Sequence, residues 1–278
     1  MHKKFSLLFW VIFFVCVIFG CGSNGLKINS SENKAILEAI SDVSSNEIYK
    51  TVKDLEDFKT RYTWEKQTEV ADYLFGRFRR YGIQVSFDEY HWKEKKWKNV
   101  IATIEGKSRP EDVYMVIAHF DSISKKPERH APGADDNASG TAAVLEIARI
   151  LKTLSLPATF KIGMFSNEEQ KRAGSKHFVK MADEEGVNIR GVINLDVIGY
   201  NDPLGNLIIK ASEKRSLKNV VKLKLKRIRN YFLKAIHPDG RVVIAGRLIN
   251  RGLVERASAL AKKYSKLGVK DRVGDDCG

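Results

Sequence analysis

Apolar residues recur at helical spacing over the first part of the chain that reads as a folded domain. Between residues 34 and 81, positions such as Val70, Leu74 and Phe78 fall on one side of a helix. This spacing predicts two or three amphipathic helices, with Gly82 as the terminator of the last one.

The pattern then changes to strands that alternate with helices. Two segments predict strands joined by a hairpin across a charged stretch. Three mainly apolar runs predict strands buried on both faces, and two further segments have helical spacing. The hairpin strands are 84–90 and 99–105, the apolar runs are 113–118, 159–165 and 192–195, and the helices are 141–154 and 174–184. Buried strands that alternate with helices predict an α/β fold with parallel strands at the centre of its sheet.

The N-terminus has the pattern of an export signal. Lys3 and Lys4 precede an apolar run, 5–19, that is shorter than the roughly 20 residues needed to span a bilayer. Residues 18–21 resemble a bacterial lipoprotein processing box, which predicts a cleaved signal at 1–20 and lipidation of Cys21 on the extracytoplasmic side of a membrane. An uncleaved anchor and a plain signal peptide, giving a secreted or periplasmic protein, are the alternatives.

Composition and cysteine content fit one large domain behind a short tether. The chain has 278 residues, of which 43% are hydrophobic and 29% are charged. Small and polar residues at 21–33 suit a lipidated tether, so the domain is expected at 34–278. Cys16 would leave with the signal and Cys21 would be modified, so only Cys277 remains and a disulfide framework is excluded.

Positive charge is concentrated at 215–251. Eleven Lys or Arg residues stand there against one acid, Asp239, and supply +10 of the formal net charge of +14. Apolar residues repeat in this segment at helical spacing, which suits either a packed helix with a solvated basic face or contact with an anionic membrane surface. Nucleic acid is disfavoured as a partner because no aromatic stacking residues are interleaved with the basic ones.

Acidic or metal-competent residues follow each apolar run. The carboxyl ends of parallel strands form the ligand crevice of an open α/β sheet, so these side chains should converge. Clustered carboxylates beside a histidine favour zinc over calcium or magnesium. The residues are His119 and Asp121 after the first run, Asp135 and Asp136 before the next helix, Glu168 and Glu169 after the second run, and Asp196 after the third.

Four segments carry a resemblance to a known family. AHFDS, APGADDNASGTAAVLEIAR, FSNEEQKRAGSKHF and NLDVIGY are similar to the co-catalytic zinc aminopeptidases, which include bacterial leucyl aminopeptidases and have glutamate carboxypeptidases and glutaminyl cyclases as relatives. The resemblance covers residues 63–200 and resumes weakly at 253–278. It implies a three-layer sandwich with a mixed, centrally parallel sheet between helices, two zinc ions and peptide substrates.

The resemblance also implies a role for each matching residue. It makes His119, Asp136 and Asp196 the protein ligands of one zinc, with Asp136 shared by a second zinc that Glu169 binds. Glu168 would be the general base, and Asp121 would orient the His119 imidazole.

One element of the family pattern is not found in this sequence. The second zinc of the family has a further histidine in an SDH motif, and His130, His177 and His237 do not stand in that context. The sequence therefore predicts an incomplete second site and the lack of a last strand and helix.

A glutaminyl cyclase, a carboxypeptidase and a non-catalytic surface lipoprotein stay open as alternative functions. The resemblance favours an aminopeptidase over a cyclase at Asp135, because cyclases typically have Thr there.

Overall fold

The computed structural model describes residues 30–199, with side chains from 34 onward, and the backbone of three later strands. The described residues fall into two compact units. One is Glu38–Val197, and the other includes residues 30–37, 198–199 and the three later strands.

Helices occupy the beginning of the described chain, as the apolar spacing predicts. They are α1 (Ser30–Ser41), α2 (Ser45–Asp57) and α3 (Trp64–Arg80). The Ser44 hydroxyl caps α2 and the Thr63 hydroxyl caps α3, each accepting a backbone N–H of the first turn. Gly82 follows α3 with φ of 67°, as expected of a terminator. Helix α1 begins four residues before the predicted start of the domain at 34, in the segment predicted to be a tether.

Five strands of the Glu38–Val197 unit form one mixed sheet in the order β1-β2-β4-β3-β5. Strand β3 pairs in parallel with β4 and β5, whereas β2 is antiparallel to both β1 and β4. The predicted mixed, centrally parallel sheet is therefore confirmed. The prediction that the apolar run 192–195 is buried on both faces is wrong, because this strand lies at the end of the strand order and Val192 is 47% exposed. The strands are β1 (Gln84–Trp92), β2 (Lys95–Ile104), β3 (Arg109–His119), β4 (Ala158–Phe165) and β5 (Ile189–Asn194).

The predicted hairpin is present, but its strands are longer than expected. Lys93 and Glu94 alone form the turn, both with positive φ (47° and 62°), as tight hairpin turns require. The flanking charged residues therefore belong to β1 and β2. Exposed strand positions accommodate them, and Lys96 pairs there with Glu89 across the ladder.

Two later helices pack on the sheet of this unit, in addition to α3, which packs on β1 and β2. Helix α4 (Gly140–Leu151) is buried at every position except Arg149, which explains its apolar residues on all sides. Helix α5 (Ala173–Glu184) packs Phe178 edge-on against Phe165 of β4, beside the core residues Val113 and Met115. Both helices match the predicted segments within a few residues.

Three strands lie in the second unit and form a separate sheet. They are β6 (Ile236–His237), β7 (Arg241–Gly246) and β8 (Gly268–Val273), with β7 antiparallel to β6 and parallel to β8. The sequence pattern did not predict them, and two of them fall inside the basic segment 215–251.

The predicted signal, Cys21 and the apolar helical positions of the basic segment 215–251 lie outside the described residues. Among the helices that are described, none has the length and apolar character of a membrane span.

Candidate metal centre

The register of the parallel strands brings the candidate residues together. His119, the last residue of β3, stands opposite Phe165, the last residue of β4. On the other side of β3, Ile117 stands opposite Asn194, the last residue of β5. All three strands therefore end within two residues of one another, and the residues that follow them share one edge of the sheet.

His119, Asp136 and Asp196 converge at this edge. The Nε2 atom of His119 lies 3.3 Å from Asp136 Oδ1 and 3.4 Å from Asp196 Oδ1. One potential ligand atom from each residue lies within 4.8 Å of the others, which is a spacing that can hold a metal ion. The imidazole is buried, whereas about a third of each aspartate side chain is exposed.

Asp121 connects this group to the two glutamates. Its fully buried carboxylate lies 3.4 Å from His119 Nδ1 through Oδ1. The same carboxylate accepts the backbone N–H of Glu168 at 3.0 Å and that of Glu169 at 3.1 Å, one on each oxygen. Asp121 thus faces the histidine and also fixes the turn that carries both glutamates.

Asn137 holds Asp136 beside Asp196. Its buried amide donates to Leu195 O at 2.9 Å, and its Oδ1 accepts the N–H of Gly140 and, at 3.4 Å, that of Val197. A Cβ at residue 140 would collide with the Leu195 carbonyl and the Asn137 amide, so this position needs glycine. The peptide bond between residues 136 and 137 is cis.

The turn that carries Glu168 and Glu169 is held from its other side by Gln67 of α3. The buried Gln67 amide accepts the Asn167 N–H at 3.1 Å and donates to Asn167 Oδ1 at 3.2 Å. Asn167 has φ of 55°, a left-handed conformation that asparagine tolerates better than most residues. Its side chain also donates to the hydroxyl of Tyr90.

Electrostatics at the site show the effect of crowded carboxylates. Burial, followed by the charge of Asp136, raises the pKa of Glu169 to about 7. Burial also raises the pKa of Glu168. Burial lowers the pKa of His119, but the carboxylates of Asp121, Asp136 and Asp196 outweigh it and raise that pKa well above its usual value.

The residues present fit a zinc ion. Among side chains 34–199, His119 Nδ1 and Asp196 Oδ1 are the buried polar atoms without a hydrogen-bond partner. Such atoms are costly to bury. A cation bound to the three residues would give Asp196 Oδ1 a partner, offset the carboxylate charges and keep the imidazole neutral. One nitrogen donor with carboxylate oxygens is a donor set that zinc accepts.

The other residues considered from the sequence lie elsewhere or in other roles. Asp135 accepts the Ser139 hydroxyl and is not one of the three converging residues. His130 is exposed in a loop. His177 lies 3.2 Å from Asp88 and stacks on Tyr90, so it packs as expected. Only the backbone of His237 is described, in β6.

Asn137 and Gln67 were not predicted from the sequence as site residues. Asn137 follows Asp136 directly in the GADDNASG segment, so its position was a usable signal. For Gln67 the signal in the sequence was weak: it is a polar residue three positions before Val70, on the apolar side of α3. Both are buried and bond to backbone that carries the candidate ligands.

Comparisons with known proteins find relatives of this chain. The model of the family described as Peptidase family M28 matches residues 99–244, just over half of the chain. A probable zinc metalloprotease of Pyrenophora teres f. teres is 29% identical over 187 residues, covering 58% of this chain and 40% of that protein. A probable leucine aminopeptidase of Trichophyton verrucosum is 32% identical over 175 residues, covering 58% of this chain and 45% of that protein.

A solved structure shares the fold. LapA of Legionella pneumophila aligns with a TM-score of 0.66 at 19% identity, covering 94% of this chain and 63% of that chain. The chain spans less than half the length of the two curated relatives.

Proposed function

Because the chain belongs to peptidase family M28, we propose that it is a zinc-dependent exopeptidase that removes N-terminal residues from peptides. The observation that carries the proposal is the convergence of His119, Asp136 and Asp196 within 4.8 Å, beside a turn that presents two glutamates. A histidine with carboxylates at the ends of parallel strands is a donor set suited to a hydrolytic zinc ion.

Each residue has a distinct task in this proposal. Bound zinc would supply a water of lowered pKa and would polarise the carbonyl of the scissile peptide bond. Glu168 accepts a proton from the attacking water, and burial raises the pKa of its carboxyl group, which makes it a stronger proton acceptor. Asp121 orients the His119 imidazole and, through the Glu168 N–H, fixes the distance between base and histidine.

We extend the proposal to two zinc ions. Asp136 would be shared between them and Glu169 would contribute to the second. The support is electrostatic, since the charge of Asp136 contributes to the raised pKa of Glu169, and a second cation between these carboxylates would relieve their repulsion.

Metal analysis and a peptidase assay on the same preparation test the proposal. The purified chain is dialysed, its zinc content is measured by elemental analysis, and hydrolysis of aminoacyl anilides is followed with and without added zinc. We expect at least one tightly held zinc per chain and hydrolysis that a chelator abolishes and zinc restores. A chain that retains no zinc, or that hydrolyses equally well in chelator, would overturn the proposal.

A glutaminyl cyclase of the same fold is the alternative that the assay must separate. Peptides with N-terminal glutamine are offered alongside the anilides. Cyclisation of glutamine without release of N-terminal residues would replace the exopeptidase assignment. Zinc binding without either reaction would favour the third alternative, a protein that binds peptide or metal without turnover.

For localisation we propose export and anchoring through a lipid on Cys21, with the basic segment 215–251 as a further membrane contact. The support is the basic and apolar pattern of residues 1–21. Cys21→Ser should move the protein to the soluble fraction or leave an unprocessed precursor. If a processed Cys21→Ser chain stays on membranes and high salt detaches it, the basic segment is the anchor instead.

A further inference from the structure

Arg61 is the largest fully buried side chain among residues 34–199, and it lies in the linker between α2 and α3. Its guanidinium bonds to backbone carbonyl oxygens from three separate segments. Nε donates to Phe120 O at 2.7 Å, and Nη2 donates to Gly133 O at 2.9 Å. Nη1 donates to Leu55 O and to Pro132 O.

These carbonyls stand next to the candidate metal ligands. Phe120 lies between His119 and Asp121 at the end of β3, and residues 132 and 133 lead directly into the loop that carries Asp136. Arg61 therefore ties the loop that presents Asp136 to the strand end that presents His119.

The backbone around Arg61 reinforces the connection. Ser122 Oγ accepts the Arg61 N–H at 3.2 Å and donates to Ala131 O at 2.6 Å. The Ala131 N–H donates to Lys59 O at 2.8 Å. Arg61 and Ser122 thus hold the same loop, and we call this pair of side chains the loop clamp.

A buried guanidinium is expensive unless its donors and its charge are satisfied. Here four donor contacts are made to carbonyls. Burial lowers the pKa of Arg61 to about 10, and the charges of Asp121 and Asp136 offset part of that effect. Only a planar fork of five N–H donors can reach carbonyls on several sides at once, whereas a lysine ammonium is a compact point charge.

We propose that Arg61 is a positioning residue that sets the spacing between His119 and Asp136 and thereby the zinc affinity of the site. The inference rests on the proposed zinc-dependent function. Loss of the fork would leave the ligands present but would let the 131–136 loop shift away from the strand end. Residues that hydrogen-bond a metal ligand typically contribute about 10- to 100-fold to metal affinity, and Arg61 bonds to the backbone next to two of the candidate ligands.

The test compares Arg61→Lys with Arg77→Lys in the full chain. Arg77 is a second buried arginine, but its hydrogen bonds go to Thr51, Tyr73 and Tyr81. Zinc affinity is measured by competition against a chelator of known affinity, and stability is measured by thermal unfolding of the zinc-free proteins. Hydrolysis is then followed across a zinc titration.

Both variants should unfold at lower temperature, because each loses buried hydrogen bonds. Arg61→Lys alone should bind zinc about 10- to 100-fold more weakly, and added zinc should restore most of its turnover. Arg77→Lys should keep wild-type zinc affinity. If Arg61→Lys loses stability but binds zinc as tightly as wild type, Arg61 is a structural residue only and the inference is overturned.

A second variant covers the case in which Arg61→Lys does not fold. Ser122→Ala keeps the guanidinium and removes the other half of the loop clamp, and it should weaken zinc binding several-fold. Unchanged zinc affinity in that variant would then overturn the inference. A wild-type chain that fails to bind zinc would instead overturn the proposed function itself, so the two failures are distinguishable.

Discussion

The two halves of the candidate site are held in different ways. In the first half, His119, Asp136 and Asp196 direct their side chains at one another, and two buried atoms there lack hydrogen-bond partners. In the second half, the turn of Glu168 and Glu169 is bonded down by its backbone, to Asp121 and, through Asn167, to Gln67. The first half is a group of potential metal-ligand atoms whose charges a bound cation would balance. The second half is a turn that neutral amides and one buried carboxylate already hold in shape.

This comparison predicts that chemistry and metal binding can be separated by substitution. Glu168→Gln keeps the size of the side chain and removes the proton acceptor, so hydrolysis should fall by about 1,000-fold or more while zinc content stays near wild type. Glu184→Gln, at an exposed glutamate at the end of α5, is the matched control and should leave the rate unchanged. Appreciable turnover in Glu168→Gln would assign the base to another group.

Substitution of the two adjacent aspartates, Asp135 and Asp136, tests which of them is a ligand in the first half of the site. Asp136→Asn should weaken zinc binding on the order of 100-fold, because it removes a ligand charge from the converging group. Asp135→Asn is the same change one residue earlier, outside that group. It should cost less than the roughly 10-fold expected for a residue that holds a ligand, because the Asp135 carboxylate accepts the Ser139 hydroxyl instead. Isothermal titration of the two zinc-free variants measures the difference. Equal losses would mean that the ligand was assigned to the wrong aspartate.

The smallest effect on turnover is expected from substitution of Gln67, which holds the turn that carries Glu168 and Glu169. Gln67→Met removes both bonds to Asn167 and a third to Tyr62 O. The loss should cost about 1–3 kcal/mol of unfolding free energy and lower the turnover rate about tenfold with zinc affinity intact. Gln170→Met, which loses a single bond to Tyr62 O, is the control with the weaker effect. Urea unfolding and steady-state kinetics measure the two quantities. Reduced zinc affinity in Gln67→Met would show that the two halves are not independent.

Sequence reasoning located the helices and strands of the Glu38–Val197 unit and the polar residues that follow the strands. It did not locate the residues that hold these parts together or the three strands of the second unit. Apolar runs such as 113–118 can be recognised because strands buried on both faces must be apolar throughout. The polar residues at their ends followed from the same pattern. Asn137, Gln67 and Arg61 could not be assigned in this way, because an amide or guanidinium gains its role from the backbone it contacts, and those contacts join residues up to 100 positions apart.

The strand order was also outside the reach of the pattern. Apolar runs do not say which strand is the neighbour of which, and here β2 pairs with β4 rather than with β3. In the charged hairpin, by contrast, the local sequence argued against a strand that the structure contains. Lysines at 95 and 96 argued against a strand locally, yet exposed positions at that end of the hairpin tolerate them because their charges pair with Glu65 and Glu89.

The same strand order has a consequence for how the chain folds during its synthesis. Strand β3 is flanked on both sides by strands that come later in the chain, with His119 beside Phe165 and Ile117 beside Asn194. A nascent chain that has emerged only as far as the β1–β2 hairpin can pair locally, but the edge that carries the ligands cannot close until β5 has left the ribosome. Such long-range pairing is slow and leaves apolar strands without partners in the meantime. Synthesis that stalls before residue 194 would therefore release chains with an open sheet, and these are the species that chaperones would have to protect.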